Sequence, residues 1–318
     1  MSDVLWAGAG MAGVVAIVWG AERFAENLAR AATRLGVTTF ALALLLAGAE
    51  PEELATGIAA SLRHTPAIAL GDVIGANVTV CLVALGVAAV IAPLPFGERV
   101  RRYGLLGLPL GVAMAAMAWD GRVSRLEGLI LVLAYGGYVA VIWRAERRPP
   151  SLGEADELRE AAEQGANPQT RVGKELVVVV AGVLAMVVGA TVLVDAIRHL
   201  VGDEADQGRV SLTIVGFATG FELVVLAWSA ARRGIPEAVV AAVVGSVAYN
   251  ATMTLGASAL VRPLDLTDAA QMRLPMVGML ASLAVVLGLS IRGGQLRRAH
   301  GVLLLALYPL FVIVALVA

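Results

Sequence analysis

The chain has 318 residues, of which 59% are apolar and only 15% are charged, against about 25% in an average soluble domain. The formal net charge of −1 argues against a nucleic-acid-binding protein. The only cysteine is Cys81, which excludes a disulfide scaffold and a cysteine-based metal site. Its long apolar runs predict an all-α, polytopic membrane protein, because a helix of roughly 20 apolar residues crosses the hydrocarbon core.

Ten transmembrane helices are predicted in chain order, and short connections rich in proline, glycine or charge separate most of them. They cover residues 4–33, 37–63, 66–92, 102–119, 123–144, 174–201, 209–233, 236–262, 268–292 and 298–317. The one long connection contains Pro149, Pro150 and many charged residues, and it predicts a solvated linker. The chain therefore divides into a first five-helix unit (residues 1–144), a linker (145–173) and a second five-helix unit (174–318).

Arginine and lysine residues predict the orientation in the bilayer. The connections after the odd-numbered helices, with their flanks, hold sixteen of these residues, and the other connections hold seven. Basic residues are enriched in cytoplasmic connections, so we expect the linker to be cytoplasmic and both termini to lie outside. The predicted location is the plasma membrane, which is the inner membrane in a bacterium. The sequence leaves the oligomeric state open.

The two five-helix units repeat each other at one fixed offset along the chain. Without a gap, Glu52 matches Glu222, Arg63 matches Arg233, Pro66 matches Pro236, Gly75 matches Gly245 and Gly86 matches Gly256. Because five is an odd number of helices, the second unit must insert upside down relative to the first. Inverted repeats are typical of secondary transporters that alternate access around a site at the membrane midplane.

Glu52 and Glu222 are the main candidate ion ligands, because both are predicted in the middle of a transmembrane helix. A carboxylate at the bilayer centre costs at least ~2.5 kcal/mol, so such residues normally face a cavity and bind something. Pro51 and Gly220 precede the two glutamates, and helix breaks at these positions would expose backbone carbonyls as further hard-oxygen ligands for Ca²⁺, Na⁺ or H₃O⁺. An ion pair between one glutamate and Arg23 is the structural alternative.

Neutral oxygen-bearing side chains accompany Glu222 in the second unit. Thr219 lies three residues before Glu222 and therefore on the same helix face. Ser246 and Asn250 are four residues apart in the next helix, again on one face. Together with Glu222, these three residues predict a polar ion-binding surface.

The equivalent face of the first unit is less polar. The offset that matches Glu52 to Glu222 also matches Ala76 to Ser246 and Val80 to Asn250. Neither Ala76 nor Val80 can coordinate a cation by its side chain. Asp72 and Asn77 lie nearby and are candidate additional ligands. We therefore expect the second half to supply most of the ligands.

These segments resemble the repeats of the sodium/calcium exchanger superfamily, the cation/calcium antiporters. The residues that carry the resemblance are Ala47–Glu52 (AGAEPE), Gly71–Asn77 (GDVIGAN), Phe217–Glu222 (FATGFE) and Gly245–Asn250 (GSVAYN). The resemblance implies that Glu52 and Glu222 flank a central Ca²⁺/Na⁺ site, and that Thr219, Ser246 and Asn250 occupy further ligand positions. It also implies that Ala76 and Val80 stand where the family usually has Ser and Asn.

The predicted function is a secondary active cation antiporter that exchanges Ca²⁺ against Na⁺ or H⁺, with inorganic cations and the lipid bilayer as its partners and no cofactor. An intramembrane enzyme is disfavoured, because the sequence has no H-E-x-x-H motif and no mid-membrane histidine. Three alternatives stay open: a monovalent Na⁺/H⁺ exchanger, a carrier of another metal ion, and a relative that does not transport.

Overall fold

The computed structural model of the protein describes residues 2–34, 49–146, 172–233 and 236–317. The first half contains α1 (Asp3–Arg34), α2 (Pro51–Leu62), α3 (Pro66–Thr79), α4 (Leu85–Ile91), β1 (Leu94–Pro95), α5 (Glu98–Met117), β2 (Arg122–Val123) and α6 (Arg125–Glu146). The second half contains α7 (Val172–Leu200), α8 (Glu204–Val210), α9 (Gly216–Thr219), α10 (Phe221–Arg233), α11 (Pro236–Tyr249), α12 (Leu255–Val261), β3 (Leu264–Asp265), α13 (Ala270–Gly293), β4 (Gln295–Leu296) and α14 (Arg298–Val317). The π-helical turns Val80–Ala84, Ser211–Val215 and Asn250–Thr254 join α3 to α4, α8 to α9 and α11 to α12.

Eight helical segments of the described residues are long and apolar enough to cross a membrane, and they correspond to predicted helices one, three and five to ten. Predicted helix two is described only as α2, and its N-terminal part falls within residues 35–48, outside the described ranges. Predicted helix four corresponds to α5, whose first turns contain Glu98, Arg101 and Arg102. The all-α, polytopic class is confirmed, and the count of ten stays a prediction.

The described residues also bear on the predicted linker. α6 ends at Glu146 and α7 begins at Val172, close to the predicted limits of residues 145–173. Residues 147–171 lie outside the described ranges, so the division into two units and a linker stays a prediction.

The inverted repeat is visible in the backbone. The π-helical turns after α3 and α11 start at Val80 and Asn250, which the sequence repeat matches to each other, and β1 and β3 are separated by the same offset. β1 pairs with β4 and β2 pairs with β3, both antiparallel, so each two-stranded sheet joins one half to the other. Exchanging the halves converts one sheet into the other, as a two-fold relation between the halves requires.

Glycines pack the two longest helices against each other in the same symmetric way. A Cβ atom added to Gly13 would lie 2.7 Å from the carbonyl oxygen of Gly189, and one added to Gly20 would lie 2.7 Å from that of Gly182. In the repeat, Gly13 of the first half corresponds to Gly182 of the second, and Gly20 corresponds to Gly189 at the same offset. Exchanging the halves therefore converts one contact into the other. Small residues allow this close backbone approach, which drives helix association in a membrane.

The most buried helices are the two runs that carry the π-helical turns after α3 and α11. Glycines bring α3 close to the run from α8 to α9: a Cβ at Gly71 would lie 2.9 Å from the Gly208 carbonyl oxygen, and one at Gly216 would lie 2.5 Å from the Ala76 nitrogen. This packing brings the C-terminal end of α9 beside α3. The segment that is equivalent to α8–α9 in the first half falls mostly within residues 35–48, outside the described ranges.

Candidate ion-binding site

Glu52 and Glu222 each lie in the first turn of a helix. α2 begins at Pro51, and Glu50 before it has a non-helical backbone. α10 begins at Phe221, one residue after Gly220 interrupts the helix. Glu222 still lies inside the long apolar span Glu204–Arg233, as predicted, and the turn at Gly220 precedes it. Glu52 lies in the first turn of α2, where Pro51 fits because the first helical residues need no N–H donor. Residues 35–48 lie outside the described ranges, so the mid-helix position of Glu52 and a helix break before it stay predictions.

Burial differs between the two glutamates. Glu52 is only 4% exposed, whereas Glu222 is half-buried. Glu50 and Glu53, on either side of the Pro51–Glu52 pair, are also buried, and Glu53 is fully buried. The first half therefore places three glutamate carboxyl groups in the interior at the start of α2.

Asp72 joins this region to the second half. The Thr219 hydroxyl lies 3.2 Å from Asp72 Oδ1 and 3.0 Å from the carbonyl oxygen of Val215, and its single proton can be donated to one of them at a time. Both Asp72 and Thr219 are buried. The structure thus brings the candidate additional ligand Asp72 to Thr219, one of the predicted ligands.

Glu53 lies beside Asp72 and Thr219, and the charges of Asp72 and Glu52 both act on it. Neither carboxylate oxygen of Glu53 has a hydrogen bond of good geometry, and Asp72 Oδ2 also lacks one within the part of the chain that the structure describes. Buried carboxylate oxygens normally have hydrogen-bond partners or ligate a cation. Sequence reasoning missed Glu53, and the only signal for it was its place next to Glu52.

Ser246 and Asn250 are fully buried and face each other, as their spacing predicted. Asn250 Nδ2 donates to Ser246 Oγ over 3.5 Å, and the Thr254 hydroxyl donates to Asn250 Oδ1 over 3.2 Å. Asn250 is the first residue of a π-helical turn, a feature that often occurs at functional sites. Thr254 extends this row of neutral oxygens, and sequence reasoning did not single it out.

Asn77 faces another direction. It is fully buried, and its Nδ2 donates to the sulfur of Met279 on α13 over 3.4 Å. The structure therefore brings Asp72, but not the Asn77 amide nitrogen, to the predicted ligand Thr219.

Two tyrosines cover the side of the site near Glu50 and Glu52. Tyr249, the last residue of α11, interacts electrostatically with both glutamates, and Tyr135 on α6 interacts with Glu50. The two rings meet edge to face with centroids 5.3 Å apart. Both side chains are buried, so they close this side of the site with aromatic rings and hydroxyl groups. Their role was not predicted from the sequence.

Among the described residues, no three Asp, Glu, His or Cys side chains are grouped so that they could hold a metal ion. Ca²⁺ takes six to eight oxygen ligands, so a cation at this site needs hydroxyl, amide or backbone oxygens in addition to carboxylates. Thr219, Ser246 and Asn250 are side chains of that kind. The donor set is hard oxygen throughout, which suits Ca²⁺ and Na⁺.

Arg23 pairs with a glutamate of its own helix and not with a site glutamate among the contacts that the structure describes. Arg23 Nη1 pairs with Glu26 Oε2 of the same helix at 3.6 Å, and both side chains are substantially exposed. The guanidinium thus lies against a surface carboxylate of α1, and this contact gives the ion-pair alternative no support.

Comparisons with known proteins identify the family and agree with the fold. The family model of the sodium/calcium exchanger protein matches residues 5–144 and 174–317. The inner membrane protein YrbG of Escherichia coli is 26% identical over 92% of this chain and 91% of its own length. The sodium/calcium exchanger MaX1 of Methanosarcina acetivorans is 26% identical over 95% of this chain and 96% of its own length.

A solved structure has the same fold. The sodium-calcium exchanger NCX_Mj, in a crystal soaked with Na⁺ and Sr²⁺, matches with a TM-score of 0.60 at 21% identity, over 98% of this chain and 99% of that one. The family match covers most of both halves and omits residues 145–173 between them. The chain belongs to the sodium/calcium exchanger family.

Proposed function

We propose that this protein is a secondary active antiporter that exchanges Ca²⁺ against Na⁺ or H⁺ at a site held by Glu52 and Glu222. One observation carries the proposal: the two glutamates occupy equivalent positions in inverted halves, each in the first turn of a helix. Membership of a family in which one relative is named a sodium/calcium exchanger supports it.

Neutral oxygens complete the proposed coordination. Two carboxylates supply at most four oxygens, and Ca²⁺ takes six to eight. Thr219, Ser246 and Asn250 are buried and add hydroxyl and amide oxygens from the second half. We assign these three side chains as ligands in at least one state of the transport cycle.

Asp72 and Glu53 supply negative charge from the first half. Glu53 is fully buried beside Asp72, and three of their four carboxylate oxygens lack a hydrogen bond of good geometry among the described residues. We therefore propose both as additional ligands, in a state of the transport cycle in which the carboxylates approach each other more closely than in this structure, in place of the side-chain oxygens that Ala76 and Val80 lack. Asn77 stays a candidate, with its amide nitrogen turned toward Met279.

Coupling follows from competition for the same carboxylates. Ca²⁺ neutralises them in one half of the cycle, and Na⁺ or protons neutralise them in the other, so the site cannot return empty without leaving buried charge unbalanced. Inverted halves allow the same site to open to either side of the membrane. In the proposed orientation, both termini lie outside and residues 145–173 lie in the cytoplasm of the cell that carries the protein in its plasma membrane.

The absence of oxygens at Ala76 and Val80 favours one alternative, an exchanger of monovalent cations or of another metal ion. Na⁺ needs fewer ligands than Ca²⁺ and less negative charge. A relative that retains the scaffold but does not transport is the other alternative.

Flux measurements test the proposal. The full-length protein is reconstituted in liposomes that contain a Ca²⁺-sensitive dye, and Ca²⁺ uptake is followed under an outward Na⁺ gradient and then under a pH gradient. We expect uptake under at least one gradient and its loss in Glu222→Gln. Glu22→Gln, which changes an exposed carboxylate on α1, is the matched control and should transport like the wild type.

Each result has a distinct meaning. Absence of Ca²⁺ flux under both gradients would rule out the calcium function. A proton flux driven by Na⁺ alone would then favour the monovalent exchanger, and absence of that flux too would favour the non-transporting relative. Ca²⁺ flux that survives Glu222→Gln would instead show that the site is assigned wrongly.

A further inference from the structure

A cavity of about 640 Å³ lies at one end of the helix bundle, away from the ion-binding site. It is enclosed by the C-terminal ends of α2 and α12 and by the N-terminal ends of α3 and α6. None of the proposed cation ligands lines it. The cavity is therefore a separate space from the candidate ion-binding site.

Positive charge dominates the cavity lining. Arg125 and Arg262 both line it, and within the described ranges neither forms an ion pair with a carboxylate. The single acidic lining residue is Asp265, whose Oδ1 is held by Arg122 Nε at 3.0 Å. The cavity therefore presents two uncompensated guanidinium groups.

Two further polar groups face the same space. Ser61 is 1% exposed, and its hydroxyl oxygen has no hydrogen-bond partner in the part of the chain that is described. His64 has a left-handed backbone with φ of 63°, which is uncommon for a residue other than glycine. This conformation places His64 Nε2 against Arg262 Nη1, so the imidazole accepts a hydrogen bond and holds the guanidinium at the cavity.

The chemistry of these groups selects an oxyanion. Guanidinium groups present planar, forked donors that match phosphate oxygens, and charge-assisted hydrogen bonds of this kind are the strong ones. The Ser61 hydroxyl adds a neutral donor. Leu62, Pro66 and Val261 line the rest of the cavity, whose volume exceeds that of a phosphate ion and leaves room for groups attached to it.

We propose that this cavity binds a phosphate-bearing anion through Arg125, Arg262 and Ser61. The phosphate can belong to a lipid headgroup, because Leu62 is largely exposed beside the cavity on a helix of a membrane protein, or to a soluble phosphate compound. Both sources share the recognised group. The arms of the experiment separate them.

Thermal unfolding of the purified full-length protein provides the test. In detergent, inorganic phosphate should raise the unfolding temperature above that in chloride at equal ionic strength, because a ligand that binds only the folded state stabilises it. The change Arg125→Gln with Arg262→Gln should raise the apparent Kd for phosphate about tenfold or more. Arg273→Gln is the matched control: Arg273 is exposed near the same end of the bundle, where its Nε donates to the Trp119 carbonyl oxygen, but it does not line the cavity.

A second arm uses nanodiscs of digalactosyldiacylglycerol, a lipid without phosphate, with or without added phosphatidylglycerol. Stabilisation by phosphatidylglycerol without an effect of inorganic phosphate would identify a lipid headgroup as the ligand, and stabilisation by phosphate would identify a soluble anion; either supports the site. If neither stabilises the protein, or if the arginine double variant keeps the stabilisation, the proposal is overturned. Should the double variant not fold, Ser61→Ala decides: it should raise the Kd about two- to tenfold, and an unchanged Kd would overturn the proposal.

Discussion

The two halves of the molecule share a backbone plan but carry different polar side chains. Both halves place the glutamate that the repeat shares in the first turn of a helix, and both have a π-helical turn at an equivalent place and a short strand at the same offset from its counterpart. In the sequence repeat, the buried acids Glu53 and Asp72 of the first half correspond to Leu223 and Ala242. The proposed neutral ligands Ser246 and Asn250 of the second half correspond to Ala76 and Val80. The two-fold relation preserves the backbone, whereas the ligand chemistry has diverged.

This comparison changes the expectation that the second half supplies most of the ligands. On our proposal, the halves differ in the kind of oxygen that they contribute, with charged oxygens from the first half and mostly neutral ones from the second. The Thr219–Asp72 contact is the place where the two kinds meet. Four experiments test how unequal the halves are.

The largest effect is expected for Glu52 and Glu222, the two glutamates that the repeat matches to each other. Glu52→Gln and Glu222→Gln should each lower Ca²⁺ transport about thirtyfold or more, because removing a charged group that holds the cation costs about 2–5 kcal/mol. Initial rates of dye-detected uptake in liposomes provide the measurement, with Glu22→Gln as the control. A strong effect of one change and a weak effect of the other would mean that the halves are unequal even at their shared glutamate.

A smaller, unequal effect is expected for the ligands that differ. Glu53→Gln or Asp72→Asn should raise the half-saturating Ca²⁺ concentration by about ten- to a hundredfold, because hydrogen bonds and contacts of charged groups contribute about 1.5–3 kcal/mol. Ser246→Ala or Asn250→Ala should raise it by about two- to tenfold, since neutral groups contribute about 0.5–1.5 kcal/mol. Saturation curves for uptake distinguish the two classes. Equal effects in both classes would contradict the division into charged and neutral halves.

The helix crossing between α1 and α7 should behave identically in both halves. Gly13→Ala and Gly182→Ala each place a Cβ 2.7 Å from a backbone carbonyl oxygen of the other helix, so each should destabilise the fold by about 1–3 kcal/mol. Gly8→Ala is the control on α1, because nothing lies within 4 Å of its Cβ. Thermal unfolding in detergent measures all three. A loss of stability in only one of the two glycine variants would show that the crossing is not symmetric.

The smallest effect concerns ion pairs at the helix ends. Arg63 of the first half pairs with Asp195 of the second at 2.8 Å, whereas Glu26, which resembles Asp195 in the repeat, pairs with Arg23 and Arg30 of its own helix at 3.6 Å. Asp195→Asn should cost about 0.5–1 kcal/mol, and Glu26→Gln should cost about 0.3 kcal/mol. Unfolding free energies at low salt give the comparison, and a larger effect of Glu26→Gln would reverse our assignment of the stronger pair.

Much of the fold followed from patterns in the sequence. Apolar runs predicted eight of the membrane-spanning segments, and the gap-free match that pairs Glu52 with Glu222 and Gly86 with Gly256 predicted the repeat that the paired strands and glycine contacts display. The polar pair Ser246 and Asn250 was predicted because a spacing of four residues places side chains on one helix face. These signals are local, or repeat at a fixed offset, so one sequence is enough to see them.

Long-range placement was beyond the sequence. The contact of Asp72 with Thr219 joins residues 147 positions apart. The burial of Glu53 could not be inferred, because a glutamate next to Glu52 points at another angle of the helix and only the surrounding helices decide whether that angle meets lipid, water or protein.

The sequence by itself determined that this is a membrane protein made of two inverted halves with one glutamate repeated in each, because hydropathy, the parity of helix number and a fixed offset require no knowledge of contacts. Only the tertiary structure decided which side chains contact the buried acids and which arginines line the second cavity. The physical reason is that both depend on how helices from different halves approach each other. That approach is set by glycines whose partners lie far away along the chain, such as Gly13 against Gly189 and Gly128 against Gly256.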